Sequence, residues 1–548
     1  MKPLLSVCMI VKDEEKVLSR CLESIHGVAD EIIVVDTGSQ DRTKEIAMRY
    51  TDKVFDFEWI NDFSKARNYA ASKATGEWIF VIDADEFVDK ESFKKFKQEL
   101  EKNPPKNSIL SIQIVSFTGE NAKDTSLNYH DRIYKNDGNI SYQRPVHEVL
   151  VHKDLNENNK REIVDFQIFH TGYMTDVVKG KNKSERNLNL LLNKKDKEAI
   201  DYFFIGNEYK SRGEIDKAIN FYQKAYQLKK DIHLDWVRRL LFDLVDCLHE
   251  KKRDKEALDI IHSCEQVFPN LVDFKFYKGI IFYNKEQYKT SKKILENILS
   301  EKDKLVSFRS PDFLEYWPLK ILGNIYEKEN ELHKAVHCYS KALSINDADD
   351  ELWSKLIFLL GKHSSLKELA EFLNRNVVNK QSMTPQRMIK ILLNVPILDV
   401  QKLSRSLLDE SELSQVENEA LFIKNLYLDG QIDEVIAILE NKDINEVVSI
   451  LKTKIFNLSD MMLIALESEH QKCKEILLHI NYDESINNIL NMLFYKKNKK
   501  LTGLEETLFL SIYSQANVFR NDKILKLLNG RKAFISKQGR KKISEMIS

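Results

Sequence analysis

The sequence predicts an α/β domain at the amino-terminal end followed by an all-α solenoid of helical hairpins, and three observations carry that reading. Up to about residue 175, short apolar β-rich runs alternate with amphipathic helical stretches. From Ala199 onward the β-type runs all but vanish. Beyond that point small and aromatic residues recur at fixed spacing, as they do when one supersecondary unit is stacked many times. At 548 residues the chain is also too long for one hydrophobic core, and its size suits about three to four domains or one domain with a repeat array.

The elements follow in order. Leu5 to Val11 reads as a first strand, and Glu14 to His26 as a helix with Val17, Leu18, Cys21, Leu22 and Ile25 on one face, ended by Gly27. Glu31 to Asp36 is a second strand, Asp41 to Tyr50 a helix, Lys53 to Glu58 a third strand and Phe63 to Ala74 another helix. Glu77 to Ile82 is a strand whose apolar body stops at Asp83-Ala84-Asp85-Glu86. A helix over Glu91 to Glu101 is stopped by Pro104-Pro105. Ile109 to Phe117, Arg132 to Tyr134 and Ile163 to Phe169 read as later strands of mixed period.

In the second region Gly206, Tyr209, Ala218, Tyr222 and Ala225 recur with the spacing of Gly323, Tyr326, Ala335, Tyr339 and Ala342. The small residues let paired helices approach closely, and the tyrosines supply bulk where hairpins stack. Gly279, Phe282, Ser291 and Leu295 fit the same frame, as do Val245, Leu248, Ala257, Ile261, Cys264 and Pro269. This pattern resembles a tetratricopeptide repeat array of about four units over residues 200–350. Asp429 to Val435 echoes Arg212 to Ala218, so degenerate hairpins are expected further on, with a solvated basic tail around Arg531 to Lys542.

Composition excludes several functions. Lys and Arg total 84 against 85 Asp and Glu, so a net charge of -1 gives no global attraction to nucleic acid or to an acidic membrane. Any anionic ligand must be held locally. The six cysteines lie without a CxxC pair or histidine neighbours at metal spacing, which suits reduced, mostly buried thiols. The amino terminus enters a short strand broken by Lys12, too short for a signal sequence, and no segment reaches the ~20 apolar residues of a membrane span. The expectation is a soluble, cytoplasmic protein without an integral membrane segment.

The acidic triplet is the strongest chemical signal. With a period of two, Asp83 and Asp85 point one way and Ala84 the other. They fall past the carboxyl end of a buried strand, where open α/β sheets bind ligands. Two such carboxylates repel unless a cation or an outer partner offsets them, and hard oxygen ligands favour Mg²⁺ or Mn²⁺. The alternative is a solvated acidic turn opening the next helix, whose first turn would hold Glu86.

Three further clusters sit at strand ends. Lys12-Asp13-Glu14-Glu15 follows strand one, with an acidic helix start as the alternative reading. Asp36-Thr37-Gly38-Ser39 leads to Asp41, a plausible helix cap, and Asp36 stands where a carboxylate can bind ribose hydroxyls or an imino N–H. Asn61 to Asn68 opens a helix with Lys65 and Arg67, cations that could meet phosphate.

Taken together, these motifs resemble the family 2 nucleotide-sugar glycosyltransferases with the GT-A fold. The matching residues are Val7 to Glu14, Glu31 to Ser39 with Asp41 and Thr43, Phe63 with Ala66-Arg67-Asn68, and Gly76-Glu77-Trp78 through Asp83 to Glu86. The likeness covers residues 4–175, and it is the ordered set rather than any one motif that is specific. Arg132-Ile133-Tyr134, Arg144 to Glu148 and Phe169 to Tyr173 look like the acceptor half of the subgroup with lipopolysaccharide core transferases and bacteriocin peptide glycosyltransferases. The latter also carry helical repeats, which favours a polypeptide acceptor on the concave face.

The resemblance implies a GT-A (Rossmann-like, nucleotide-sugar-binding) domain over 1–195, tetratricopeptide repeats over 196–377 and a degenerate helical-repeat region over 378–548. It implies a UDP-sugar donor contacted by Val11, Asp13, Glu14, Asp36, Arg67, Asp83 and Ala84. Asp85 would ligate Mg²⁺ or Mn²⁺, with His170 either a second ligand or a core histidine. Glu148 would be the general base of an inverting transfer to a hydroxyl or thiol, with His147 its competitor or the pair a plain surface turn. Asp13 stands where many relatives have Asn, which leaves the base contact open.

Alternatives remain. The acceptor could be a surface polysaccharide or lipid-linked glycan, against which the missing membrane span weighs mildly. A sugar-phosphate nucleotidyltransferase should have a Gly-rich, Arg-containing loop where Lys12-Asp13-Glu14 stand. A repeat scaffold with an inactive domain would not need the intact Asp83 and Asp85. The helical region could also pair with a second copy of the chain.

Overall fold

The computed structural model describes residues 3–118, 124–154, 160–170, 177–376, 383–405, 413–468, 470–479, 484–494 and 500–547. By compactness the chain divides into Met1–Ile260 and Ile261–Ser548. The first unit opens with β1 (Leu5–Val11), α1 (Leu18–Ile25), β2 (Glu31–Asp36), α2 (Thr43–Ala47), β3 (Val54–Asp56), α3 (Phe63–Ser72) and β4 (Trp78–Val81). It continues with β5 (Glu86–Phe87), α4 (Lys90–Lys102), β6 (Ile109–Thr118), β7 (Asp124–Lys135), β8 (Ile140–Gln143), β9 (Val149–His152) and β10 (Glu162–His170).

Eight of these strands form one mixed sheet in the order β3-β2-β1-β4-β7-β6-β10-β5. The first four are mutually parallel, β7 runs antiparallel to both β4 and β6, and β10 returns parallel to β6. Strand alternation explains the two-sided burial. Val7, Met9, Ile32, Val34 and Phe80 face α1 and α4, while Cys8, Ile33, Val35, Ile79 and Val81 face Ala70 of α3 with Tyr134 and Tyr142.

The expected helix over Glu14 to His26 begins only at Leu18. The neighbouring loop claims the backbone donors before it: Asp13 N–H donates to Ser39 Oγ (3.0 Å), Glu14 N–H to Thr43 Oγ1 (2.7 Å) and Glu15 N–H to Asp41 Oδ2 (3.1 Å). Asp13 itself is left-handed, with φ 54°. The helix expected over Asp41 to Tyr50 is shortened to α2. Glu86, expected in the first turn of the next helix, instead starts β5. There it pairs with His170 of β10 and is 2% exposed, so the acidic turn folds back into the sheet before α4 begins. The hairpin β8–β9 was not foreseen, because each strand has only four residues.

After the sheet come α5 (Val177–Asn193), α6 (Ala199–Ser211), α7 (Ile215–Leu228), α8 (Asp235–Glu250) and α9 (Asp254–Val267). The second unit holds α10 (Val272–Asn284), α11 (Tyr288–Glu301), α12 (Tyr316–Lys328) and α13 (Leu332–Ile345), then further helices to its end. The repeat spacing has a steric cause. A Cβ added to Gly206 would sit 2.5 Å from the Tyr222 ring, and one on Gly323 would strike Tyr339 in the same way. Each tyrosine hydroxyl then donates to the residue after the glycine, Tyr222 to Asn207 (2.8 Å) and Tyr339 to Asn324 (2.9 Å). The described residues beyond 383 are mainly helical. Those from 413 on share an apolar core with Ile389 and Leu393, whereas Met388, Ile391, Leu392, Val395 and Val400 pack in the cluster of α10 to α13. The boundary expected at residues 377–378 lies outside the described residues.

All six cysteines are buried and unlinked. Among the described residues no helix is long and apolar enough to cross a membrane.

Candidate active site

The carboxyl ends of β1, β2 and β4 gather most of the expected residues in two groups. At the β1–β2 end, Asp36 is 4% exposed and its Oδ1 accepts from the N–H groups of Gly38 (2.8 Å) and Ser39 (2.9 Å). Its other oxygen, Oδ2, is buried with no partner. An unsatisfied buried carboxylate oxygen costs roughly 1–3 kcal/mol or more, a cost that a ligand N–H donor would remove. Asp13 Oδ1 accepts from Gln40 N–H (2.7 Å) and ties the two loops together. Asp41, suggested by the sequence as the helix cap, lies one residue before that position: Arg42 holds the N-cap without a side-chain cap bond, while Asp41 Oδ1 accepts from Thr43 N–H (2.9 Å).

The second group is ionic. Arg67 on α3 reaches Asp83 Oδ1 with Nη2 (2.9 Å) and Glu148 Oε1 with Nε (2.7 Å). Arg132 Nη2 reaches Asp83 Oδ2 (3.0 Å) and Glu86 Oε1 (2.7 Å). Glu86 Oε2 accepts from Asp83 N–H (2.8 Å), which locks the acidic turn. Burial opposes ionisation of Asp83, but the Arg67 and Arg132 guanidinium groups hold its carboxyl far below the usual range. Burial likewise opposes the charge on Arg67, and Asp83 and Glu148 outweigh it. The cations of α3 were expected to meet phosphate. Arg67 instead turns inward on two carboxylates, although its buried Nη1, like Arg132 Nε, has no protein partner.

Asp85 faces His170 from the end of β10, with Nε2 3.3 Å from Oδ2. Burial disfavours the imidazolium, yet the Asp85 hydrogen bond and the Asp85, Glu86 and Asp83 charges raise the pKa of His170. Among the described residues no group of three or more His, Cys, Asp or Glu converges in a form that could hold a metal ion. A carboxylate with a neighbouring imidazole fits Mn²⁺ or Mg²⁺ only where diphosphate oxygens and water complete the shell, as is usual for Mg²⁺ at nucleotide sites.

Three expected contacts lie elsewhere. Val11 and Ala84 bury their side chains in the core at 3% and 5% exposure, so only their backbone is left for a donor. His147 turns from Glu148 toward α6, where its ring stacks on Phe204 with centroids 4.0 Å apart. Thr171, Gly172 and Tyr173, part of the acceptor-half motif, lie outside the described residues.

Arg132, placed in the acceptor half by the resemblance, and Glu86, expected in a helix's first turn, had no site role assigned, and Tyr142 was not singled out. Ile133 of β7 pairs with Phe80 of β4, so the residue before it lies level with the end of β4, next to Asp83. The available signal was an arginine breaking an inward-facing strand pattern. Tyr142 lies on a strand too short to stand out, its ring 5.6 Å from the Arg67 guanidinium.

Residues 6–167 match the glycosyl transferase family 2 model, and residues 202–232 and 321–349 each match a tetratricopeptide repeat. A TPR repeat-containing protein of Synechococcus elongatus is 39% identical over 145 residues, 26% of this chain and 35% of that one. The SPbeta prophage-derived glycosyltransferase SunS of Bacillus subtilis is 28% identical over 312 residues, 55% of this chain and 71% of that protein. The chain thus spans about a third of the first relative and seven tenths of the second. A crystal structure of S. aureus TarS 1-349 aligns with a TM-score of 0.28 and 18% identity over 46% of this chain and 88% of that one. The two clearest sequence copies, around Gly206 and Gly323, fall inside the two matched repeats. The chain carries a glycosyltransferase family 2 domain of the GT-A type followed by tetratricopeptide repeats.

Proposed function

We propose that the protein transfers a hexose from a UDP-sugar, with inversion, to a hydroxyl or thiol of a peptide or protein presented by the repeats. The observation that carries this reading is the Arg67 fork. One buried guanidinium joins Asp83 of the acidic turn to Glu148 of the acceptor half, 65 residues on, and so sets the donor and acceptor sides in one rigid frame.

On this reading Asp36 Oδ2 accepts the imino N–H of the uracil, and the exposed part of Asp83 accepts a ribose hydroxyl. Asp85, with His170, would hold Mg²⁺ or Mn²⁺, and the ion when bound would supply positive charge to offset that of the departing diphosphate. Glu148, its Oε1 held by Arg67, takes the acceptor proton on Oε2. The new bond to the anomeric carbon forms opposite the breaking bond to the diphosphate oxygen, and UDP leaves with that electron pair. The helical hairpins supply the acceptor surface, with 1–195 as the transferase domain, 196–377 as the repeats and 378–548 as their continuation. A cytoplasmic location agrees with this assignment, and the helical region offers a surface for a second copy.

The test is hydrolysis of UDP-glucose and UDP-N-acetylglucosamine by the purified protein, with and without Mn²⁺, beside Asp85→Ala. Metal-dependent turnover is expected in the parent and its loss in the variant. Full metal-dependent turnover in Asp85→Ala would refute the metal assignment.

A further inference from the structure

The loop that carries Glu148 is strained and is held from two sides. Arg144 and His147 both adopt left-handed backbone, at φ 82° and φ 52°. Neither is glycine, so this conformation persists only where surrounding contacts over-determine it. On one side α3 supplies the contacts: Phe63 N–H donates to Pro145 O (2.9 Å) and Arg67 to Glu148.

The other side belongs to α5 and α6. Arg144 Nη2 donates to Glu198 Oε2 (2.8 Å) at the start of α6, and its Nη1 lies 3.7 Å from Asp201 Oδ1. Val146 packs in one cluster with Leu188 and Leu191 of α5 and Ile205 of α6. The His147 ring lies nearly parallel to Phe204, at 15°, and its Nε2 is 3.8 Å from Glu208 Oε1. Glu208 is in turn fixed by Ser184 Oγ of α5 (2.5 Å). Phe204 and Glu208 fall within the first matched tetratricopeptide repeat, so each strained residue of the loop is met by a side chain of the repeat's leading helix or its cap.

We infer that the first repeat is part of the catalytic machinery: α6, through Phe204 and Glu208 acting on His147, is a positioning element that sets Glu148 for the transfer. This inference rests on Glu148 as the base. Phe204 and Glu208 touch no reacting atom and act through the loop. A helix that carries acceptor-presenting repeats and also braces the base couples acceptor placement to proton transfer. Displacing a base by about 1 Å costs on the order of 100-fold in rate.

The experiment uses the full-length protein and compares Phe204→Ala, Phe204→Tyr and Glu148→Gln. It reads kcat and KM for UDP-sugar turnover, and deuterium uptake of the segment 143–150. Phe204→Ala is expected to lower kcat on the order of 100-fold with donor KM within about twofold, and to raise uptake in 143–150 but not in β1–β4. Phe204→Tyr restores both, because the stacked ring returns. Adding Phe204→Ala to Glu148→Gln produces no further loss, since both changes disable one device. Unchanged kcat or unchanged uptake in Phe204→Ala overturns the inference, as does a full multiplicative loss in the double variant. If Phe204→Ala does not fold, Phe204→Leu keeps the bulk without the ring and carries the same measurements. Full turnover in Glu148→Gln would overturn the base assignment alone. A lower kcat with a loosened loop in Phe204→Ala would then still place the brace on the segment's other groups.

Discussion

Replacing Arg67 by lysine keeps the charge and removes the fork. The parent makes two charged hydrogen bonds in different directions, 2.9 Å to Asp83 and 2.7 Å to Glu148, from a side chain only 9% exposed. One ammonium cannot hold that planar geometry, so Arg67→Lys loses about one charged hydrogen bond, or about 2 kcal/mol. Arg67→Met is more severe, because it leaves Glu148, whose side chain is only 15% exposed, without its partner while Asp83 keeps Arg132. Breaking a buried pair from one side costs about 3–5 kcal/mol. At about 2–4 °C per kcal/mol for a unit of this size, Tm falls by about 4–8 °C in Arg67→Lys and about 6–20 °C in Arg67→Met. The assay is thermal unfolding by far-UV circular dichroism beside initial rates. Turnover drops on the order of 100-fold in Arg67→Lys, since Glu148 is no longer oriented. The pH dependence has a fixed sign. Burial works against the Asp83 charge, but Arg67 and Arg132 depress its pKa. Its stabilising contribution is therefore present above the ordinary Asp value of about 3.9 and is lost as the pH falls below it. In Arg67→Met part of that contribution is already gone, and the acid-unfolding midpoint moves up. A Tm within about 1 °C of the parent with full turnover in Arg67→Lys would refute the bridging role.

Three further outcomes can be checked separately. Glu148→Gln lowers kcat much more than donor affinity, whereas equal losses in both would mark a structural role. In the second unit, Lys424 Nζ and Asp460 Oδ1 meet at 2.6 Å with both side chains fully buried. Lys424→Met should cost about 3–5 kcal/mol in urea unfolding, and Lys424→Met with Asp460→Asn should recover most of it; a double variant no more stable than the single would show that the pair is not the cause. Finally, a chain ending after Lys252, which retains α5 to α8, should keep UDP-sugar hydrolysis and lose transfer to long peptides. Unchanged peptide transfer would remove the repeats' role as the acceptor surface.

Which features were legible in the sequence follows from the range of the interactions involved. Strands β1, β2, β4 and β6 announce themselves because their burial is local and periodic, and Gly206 and Gly323 because a tyrosine ring leaves no room for a methyl group. The Asp83 turn and Asp36 stand at the ends of such strands and could be located the same way. What could not be read were partners distant in the chain. Arg132 looks like one polar residue in a strand until β7 inserts beside β4. Arg67 looks like a helix-surface cation until Glu148, 81 residues later, meets its Nε. Helix starts were also misplaced, at Glu14 and Asp41, because loop side chains from the neighbouring crossover occupy the backbone donors. Such competition between side chain and helix is invisible to periodicity.

The change of pattern near Lys195 raises a different question. Sequence grammar divides the chain where β-type runs stop, but packing continues across that point: α6 grips Arg144 and His147, and the compact unit extends to Ile260. A change from α/β to helical grammar reports which local structure a segment adopts, and says nothing of which core it completes. Cutting after Lys195 would remove Glu198, Asp201, Phe204 and Glu208 together. A loss of transfer in that fragment would follow equally from a missing acceptor surface and from a released base loop. A cut after Lys252 leaves the brace in place and removes α9 and the hairpins after it, so loss of transfer there points to the acceptor surface. Phe204→Ala does the reverse, leaving every hairpin and freeing the loop. The pair of perturbations separates presenting the acceptor from aligning the base.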